Sequence, residues 1–361
     1  MKIAISAAET SGDLIAARLV KSLRSHNPQI IVQGLAGEEM VSSGCEQLWD
    51  QKLVNVMGFS EVVKKLPSIL RLRRNIIDFF SNNKPKVFIG VDAPDFNFNI
   101  EKKLKKRGIK TVHFISPSIW AWRERRINKI KESTDLVLCV FPFEIDLYNR
   151  YNQKAVFVGH PLAQELSPRI RHIPNKFVLL LPGSRESEIK SLMPEMISAV
   201  KIMSKDDEEL KFKLVLANAD MLELVKTQIK SLNIDISVGD AHKWMKQSDL
   251  AIVASGTAAL ELALVGVPMV VVYKLSTISY FIISRLINSQ FVSLPNVIAN
   301  KLLVPELIQN DANGKNIANH ALNILSCDNK YLVEEFSNIH SQLKCNSIDD
   351  ATSAILELIN D

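Results

Sequence analysis

The chain has 361 residues, 47% hydrophobic and 23% charged, which excludes a disordered chain or a fibre and fits two globular domains of roughly 150–200 residues each. Its four cysteines, Cys45, Cys139, Cys327 and Cys345, include no C-x-x-C pair, so neither a zinc site nor a disulfide framework is indicated and a reducing, cytoplasmic setting is expected. The net charge of +5 divides into +8 over residues 1–165 and −3 over the rest, which points the first half toward nucleic acid, anionic lipid or an anionic substrate, or only toward solvated helix faces.

The opening MKIAISAAET reads as a strand entering a turn and lacks the features of a signal peptide. No apolar run approaches the ~18–20 residues that span a bilayer, so any membrane contact is expected from one side. Short apolar, β-branched runs then alternate with helix-length segments: 2–7, 30–36, 86–92, 110–116, 135–141 and 155–160. None alternates with polar residues, so each is expected to be buried on both faces, the mark of a parallel, doubly wound sheet. The pattern restarts at 177–184, 212–218, 234–240, 249–256 and 268–274. Between the two sets, residues 160–176 carry three prolines and no period and read as a linker. The expected domains are 1–165 and 166–330, both Rossmann-like, with 331–361 as C-terminal helices. Two such domains with a cleft between them form a common architecture of nucleotide-sugar glycosyltransferases.

Ligands in such sheets bind where strands end, so the segments after strands are the informative ones. After the first strand, AAETSGDLIA places Ser11 and Gly12 at a helix start, where backbone amides suit an anion; Ser11 or Asp13 as a simple helix cap is the alternative. The stretch LVNVMGFSEVVKKLPSILRLRRNIIDFF (53–80) repeats Leu66, Ile69, Leu70, Ile76, Ile77 and Phe80 at helical spacing among Lys64, Lys65, Arg71, Arg73 and Arg74. Such a stripe suits an interfacial helix on anionic lipid and equally a core helix with basic flanks. The strand at 86 ends in VDAPDFNFNI, where Asp92 and Asp95 are placed for general-base work, with metal ligation or capping as alternatives. The next strand ends at His113. Beyond it, SPSIWAWRERR sets Trp120 and Trp122 beside Arg123, Arg125 and Arg126, either as core packing or as a surface for an amphiphile with an apolar body and an anionic head.

In the second half, LPGSRESEI makes a tight turn at Gly183 and Ser184 into a helix opened by Glu186 and Glu188, with Arg185 able to pair a diphosphate bidentately. ASGTAALE supplies a second turn at Ser255, Gly256 and Thr257, followed by Glu261. Two such turns suit a nucleotide diphosphate, with Glu261 accepting from a ribose diol; ordinary βα turns are the alternative.

AETSGD, GVDAPDFN, SPSIWAWR, FPFE, VGHPL, LLPGSRESEI, ASGTAALE, PMVVVYK and SLPN occur in this order. Together they resemble the lipid-A-disaccharide synthases from Lys2 to the C-terminal helices, with Ala8 standing where the family usually has glycine. The resemblance implies an α/β fold of GT-B architecture and an inverting transfer that needs no cofactor and no metal. It implies UDP-2,3-diacylglucosamine as donor and 2,3-diacylglucosamine 1-phosphate as acceptor, giving a β-1,6-linked disaccharide 1-phosphate and UDP. Asp92 becomes the first candidate base and Asp95 the second. Arg185 would neutralise the departing UDP together with the turns at Gly183–Ser184 and Ser255–Thr257, and Glu188, Asn218, Trp244, Met245 and Glu261 would join Ser11 and Gly12 in holding the donor. His113, the Trp120–Arg126 segment and Asn296 of SLPN would meet the acylated substrates. The resemblance further implies a homodimer on the cytoplasmic face of the bacterial inner membrane, with the last helices crossing back onto the first domain or a partner subunit, and no nucleic acid. Rival readings are a UDP-sugar epimerase, a transferase with a soluble acceptor, a nucleic-acid-binding protein and a non-catalytic UDP-sugar sensor.

Overall fold

The computed structural model describes residues 1–54, 59–119, 126–169, 174–229, 232–275, 290–345 and 347–360, with the backbone alone for 59–65. It divides into two compact units, residues 1–161 with 343–361, and residues 162–342.

The first unit is built on a sheet of β1 (Lys2–Ala7), β2 (Ile31–Ala36), β3 (Glu46–Asp50), β4 (Val87–Val91), β5 (Lys110–Phe114), β6 (Leu136–Cys139) and β7 (Ala155–Phe157). The order is β3-β2-β1-β4-β5-β6-β7, parallel throughout. Strands β1 and β4 are neighbours although the chain leaves β1 on the β2 side, so the order reverses between them. That reversal opens a crevice at their carboxyl ends, where ligands of such sheets bind.

Helices α1 (Thr10–His26), α2 (Glu38–Ser42), α3 (Phe59–Asn83), α4 (Pro94–Lys105), α5 (Ile127–Ser133) and α6 (Phe143–Arg150) connect these strands. The basic-apolar stripe of α3 serves two ends. Leu72, Ile76, Ile77 and Phe80 are buried in a core shared with Phe88, Ile100 and Leu104 of β4 and α4, each contributing about 1.5–3 kcal/mol. Phe79 and Phe80 meet Trp49 edge-on at 5.5 and 5.8 Å. That anchorage holds the helix although Pro67 lies inside it and removes a backbone donor. Leu66 and Leu70, one or two turns earlier, are about half exposed (46% and 50%).

The second unit repeats the plan with β8 (Phe177–Leu181), β9 (Lys211–Leu216), β10 (Ile234–Val238), β11 (Leu250–Ala254), β12 (Met269–Tyr273) and β13 (Glu306–Ile308). The order is β10-β9-β8-β11-β12-β13, and the reversal falls between β8 and β11. Its helices are α7 (Pro161–Glu165), α8 (Glu186–Asp206), α9 (Leu222–Ile229), α10 (Ala241–Gln247), α11 (Thr257–Val265), α12 (Leu294–Ala299), α13 (Gly314–Ser326) and α14 (Lys330–Leu343). Val178, Leu180, Met193, Met196, Ile252 and Ile317 pack in a core closed by α8 and α13.

Three expectations need correction. Strands β7 and β10 are not buried on both faces, because they run along sheet edges. Strands β3 and β13 escaped the sequence reading, since one is half exposed and polar and the other has three residues. The C-terminal segment 331–361 is divided: α14 belongs to the second unit, whereas α15 (Ser347–Asn360) belongs to the first. There α15 packs on α1, Ser22 Oγ donating to Asp349 Oδ1 at 2.8 Å and Thr352 Oγ1 to Ser22 Oγ at 3.0 Å.

Candidate active site

The reversal point of the first unit carries a cavity of about 760 Å³. The β1–α1 turn lines it with Ala8, Glu9 and Ser11, α3 with Leu66, Ile69 and Arg73, and the β4–α4 turn with Ala93, Asp95 and Phe96. Neither Ser11 nor Asp13 caps α1. The N-cap is Glu9, without a side-chain bond, and Asp13 is buried, accepting from Gly37 N at 2.8 Å and Glu39 N at 3.0 Å. It therefore fixes the β2–α2 turn. Gly12 is buried, and its amide belongs to the first turn of α1.

Asp92 follows β4 directly. It and Ala93 are left-handed, at φ 51° and 44°, a region that non-glycine residues enter only at a cost of order 1 kcal/mol each. Asp92 Oδ1 accepts from Ala93 N at 2.8 Å. Burial and then the charge of Asp92 hold the Glu9 carboxyl above the ordinary carboxylate range. Asp95 is exposed, and its carboxylate pairs with Arg126 Nη2 at 3.2 Å, so these two residues, expected as second base and phosphate ligand, engage each other. Arg73 Nη1 donates to Asp95 O at 3.3 Å while its guanidinium lies 5.7 Å from the Phe96 ring centre. Its Nε is buried without a partner among the described residues.

His113 is not presented to a substrate. It is fully buried, its Nδ1 2.7 Å from Oε1 of an equally buried Glu101, its ring 4.4 Å from that of Phe98. Trp120, Trp122, Arg123 and Arg125 lie outside the described residues.

In the second unit the two small-residue turns meet at the reversal point, around a cavity of about 750 Å³. It is lined by Gly183, Ser184, Arg185 and Glu188 after β8, by Ser255, Gly256, Thr257 and Glu261 after β11, and by buried Met245. Gly183 sits at φ 106°, where a Cβ would also collide with the Glu188 carboxylate. That contact lets Glu188 accept from Ser184 N at 3.2 Å and Arg185 N at 3.3 Å, bonds that stiffen the turn, and pair with Arg185 Nη1 at 3.4 Å. The Arg185 side chain is 80% exposed, able to swing toward an anion. Glu261 pairs with His242 Nε2 at 3.1 Å. His242 also lines the cavity and escaped the sequence reading, because it opens the short polar helix α10, whose start is set by left-handed Gly239 and Asp240.

Three expected contacts fall elsewhere. Trp244 packs edge-on against Phe177 at 6.3 Å with Lys213 Nζ 3.7 Å over its ring, and does not line the cavity. Asn218 precedes a single 3₁₀ turn and is not itself a lining residue, although its neighbour Ala217 is. Asn296 is fully buried: its Nδ2 donates to Val304 O at 2.9 Å and Glu306 Oε1 at 2.8 Å, and its Oδ1 accepts from Leu303 N and Val304 N at 2.8 and 3.0 Å. With each amide group engaged, it joins 293–296 to β13 and leaves nothing for a substrate.

The lipid-A-disaccharide synthetase family matches residues 3–355. The lipid-A-disaccharide synthase of Alteromonas mediterranea is 37% identical, covering 99% of this chain and 98% of the relative. That of Aeromonas hydrophila is 39% identical, with the same coverage. Among solved structures, UDP-GlcNAc 2-epimerase from Neisseria meningitidis superposes with a TM-score of 0.66 at 12% identity over 100% of both chains. Acinetobacter baumannii MurG does so with 0.60 at 14% identity over 99% of both; at such identities the likeness shows the α/β GT-B fold alone. By sequence, the chain belongs to the lipid-A-disaccharide synthase family, enzymes that transfer a sugar to build the lipid A disaccharide.

Proposed function

We propose that the chain transfers 2,3-diacylglucosamine from UDP-2,3-diacylglucosamine to 2,3-diacylglucosamine 1-phosphate with inversion, releasing UDP and the β-1,6-linked disaccharide 1-phosphate. The observation that carries this reading is the second unit's cavity, where two glycine turns, Arg185 and Glu261 converge at the sheet's reversal point. The turn amides and Arg185 would take the diphosphate, and Glu261 with His242 the ribose. Asp92 would accept the proton of the acceptor's 6-hydroxyl as that oxygen attacks the anomeric carbon. The bond from that carbon to the diphosphate oxygen breaks, and its electron pair leaves on UDP, where Arg185 stabilises the growing charge. Neutralisation of the leaving group is thus assigned to protein groups, with no metal or cofactor.

The acylated substrates place the work at a membrane surface. No helix among the described residues is long and apolar enough to cross a bilayer, and half-exposed Leu66 and Leu70 beside the basic residues of α3 fit peripheral attachment at the inner membrane's cytoplasmic face. A homodimer is part of the same proposal.

The test is UDP release in detergent micelles with both acylated substrates, against UDP-N-acetylglucosamine as sole donor. Release with the acylated pair is expected, and Asp92→Asn should lower kcat by about 10³-fold, within the range of general-base contributions. Turnover of the unacylated nucleotide sugar alone would move the chain to the epimerase or soluble-acceptor reading.

A further inference from the structure

Asp92 and Ala93 hold two consecutive left-handed conformations without glycine. Strain of that kind persists only where surrounding groups over-determine it. Here the bonds of Asp92 N to Phe114 O and of Ala93 N to Asp92 Oδ1 are joined by one further side chain. Asn97, fully buried on the first turns of α4, points its amide back into the carboxyl end of the sheet. Its Nδ2 donates to Asp92 O at 2.8 Å and lies 3.3 Å from Val91 O and 3.4 Å from Ser6 O. Its Oδ1 accepts from Ser6 Oγ at 2.8 Å. The amide therefore ties the end of β1 to the end of β4 across the reversal point and grips the carbonyl of the residue that bears the candidate base. Its approach is possible because Gly90 leaves a gap in the sheet face: a Cβ there would collide with Glu101 Oε1 and lie 2.9 Å from Asn97 Cβ.

We infer that Asn97 is a positioning residue for the Asp92 carboxylate. This rests on the reading of Asp92 as the acceptor's base. The Asp92 backbone can relax from its left-handed conformation into the broad extended or helical regions. Rotation there swings the carboxylate away from the acceptor, and the donation from Nδ2 to the Asp92 carbonyl opposes it. Ser6 fixes which way the Asn97 amide faces, so that its donors and not its acceptor meet the carbonyls.

The experiment uses the full chain in detergent micelles with both acylated substrates. Asn97→Ala is expected to lower kcat by about 10²-fold, the scale of an ångström-sized misplacement, while both KM values stay within about threefold. Ser6→Ala should lower kcat less, and the Ser6→Ala/Asn97→Ala pair should be no worse than Asn97→Ala, since the residues act through one bond network. Asn97→Ala added to Asp92→Asn should cost nothing further. A loss that multiplies in full on the Asp92→Asn background, or that follows the melting temperature with kcat and KM moving together, would overturn the assignment. If Asn97→Ala does not fold, Ser6→Ala decides: a fall in kcat at constant KM supports it and an unchanged kcat overturns it. Full activity in Asp92→Asn would instead remove the base reading, and with it the role of Asn97.

Discussion

The two units share a sheet plan but spend polar groups differently. The first buries ionisable side chains within its packing: Asp13, Glu101, His113 and Glu144 are nearly or fully inaccessible. The second buries no carboxylate among its described residues, and keeps Arg185, Glu188, His242 and Glu261 around an open cavity. Interior polar groups need partners that the fold supplies and become rigid in return. Rim groups leave their capacity for a ligand. The comparison teaches that the first unit holds its site by internal bonding, whereas the second has its site completed by what enters it.

Removing an interior carboxyl tests the first half of that contrast with the largest expected effect. Glu144 accepts from Phe141 N at 3.1 Å, bonds Ser116 and pushes its carboxyl up to about 8, burial being the main cause. Ser116 in turn meets Tyr148 Oη at 2.9 Å, so the cluster joins the loops after β5 and β6. The folded state then keeps a proton that the unfolded chain has released, and stability falls as pH rises from about 5 to 8, by up to ~1.4 kcal/mol per pH unit. His160, held down to about 4 by burial, works in the opposite sense only below about 6.5. Denaturant midpoints between pH 6.5 and 8 should therefore drop for the wild-type chain and drop less in Glu144→Gln, where buried Glu101, also held above the ordinary carboxylate range by burial, still acts in the same sense. Equal slopes would show that the cluster is wetter than its burial implies.

Filling the gap at Gly90 is the next step down. A methyl there meets Glu101 and Asn97 side chains on a helix that is itself packed on the sheet, so neither neighbour can move away freely. Gly90→Ala should destabilise the chain by about 3 kcal/mol, read from thermal or denaturant unfolding, and should lower kcat through Asn97. Near-wild-type stability would mean that α4 can lift from β4 without penalty.

Much of this was legible in the residues, for physical reasons that differ by element. Buried parallel strands announce themselves because both faces need β-branched side chains, which is why β1, β4, β8 and β11 were read close to their observed limits, while half-exposed β3 was not. The glycine turns at 183 and 256 were legible because turn chemistry is local. Asn97, Glu101 and His113 form a unit only through the packing of α4 on Gly90, which no spacing within VDAPDFN reveals. His113, Trp244 and Asn296 were placed at a site because polar and aromatic residues in motifs suggest ligands. Each is instead used by the fold: in an interior pair with Glu101, in an edge-on contact with Phe177 beneath Lys213, and in a clamp on β13.

The smallest expected change in stability tests the second half of the contrast. Gly256 precedes α11 with nothing within 4 Å of where a Cβ would stand, and its φ of 163° is an extended conformation open to other residues. Its lack of a side chain is therefore not required by the fold. An added methyl would project into the space that Ser255 and Thr257 frame beside Arg185 and Glu188. Gly256→Ala should leave the unfolding midpoint within the ~0.5 kcal/mol typical of uncrowded sites. It should weaken UDP binding by about tenfold, ~1.4 kcal/mol, because the methyl displaces the diphosphate from the turn amides. Titration calorimetry with UDP and a parallel melting curve separate the two readouts. Lost stability with unchanged UDP affinity would mean that the turn serves the fold, as the Gly90 gap does, and the contrast between the two units would fail at its most exposed point.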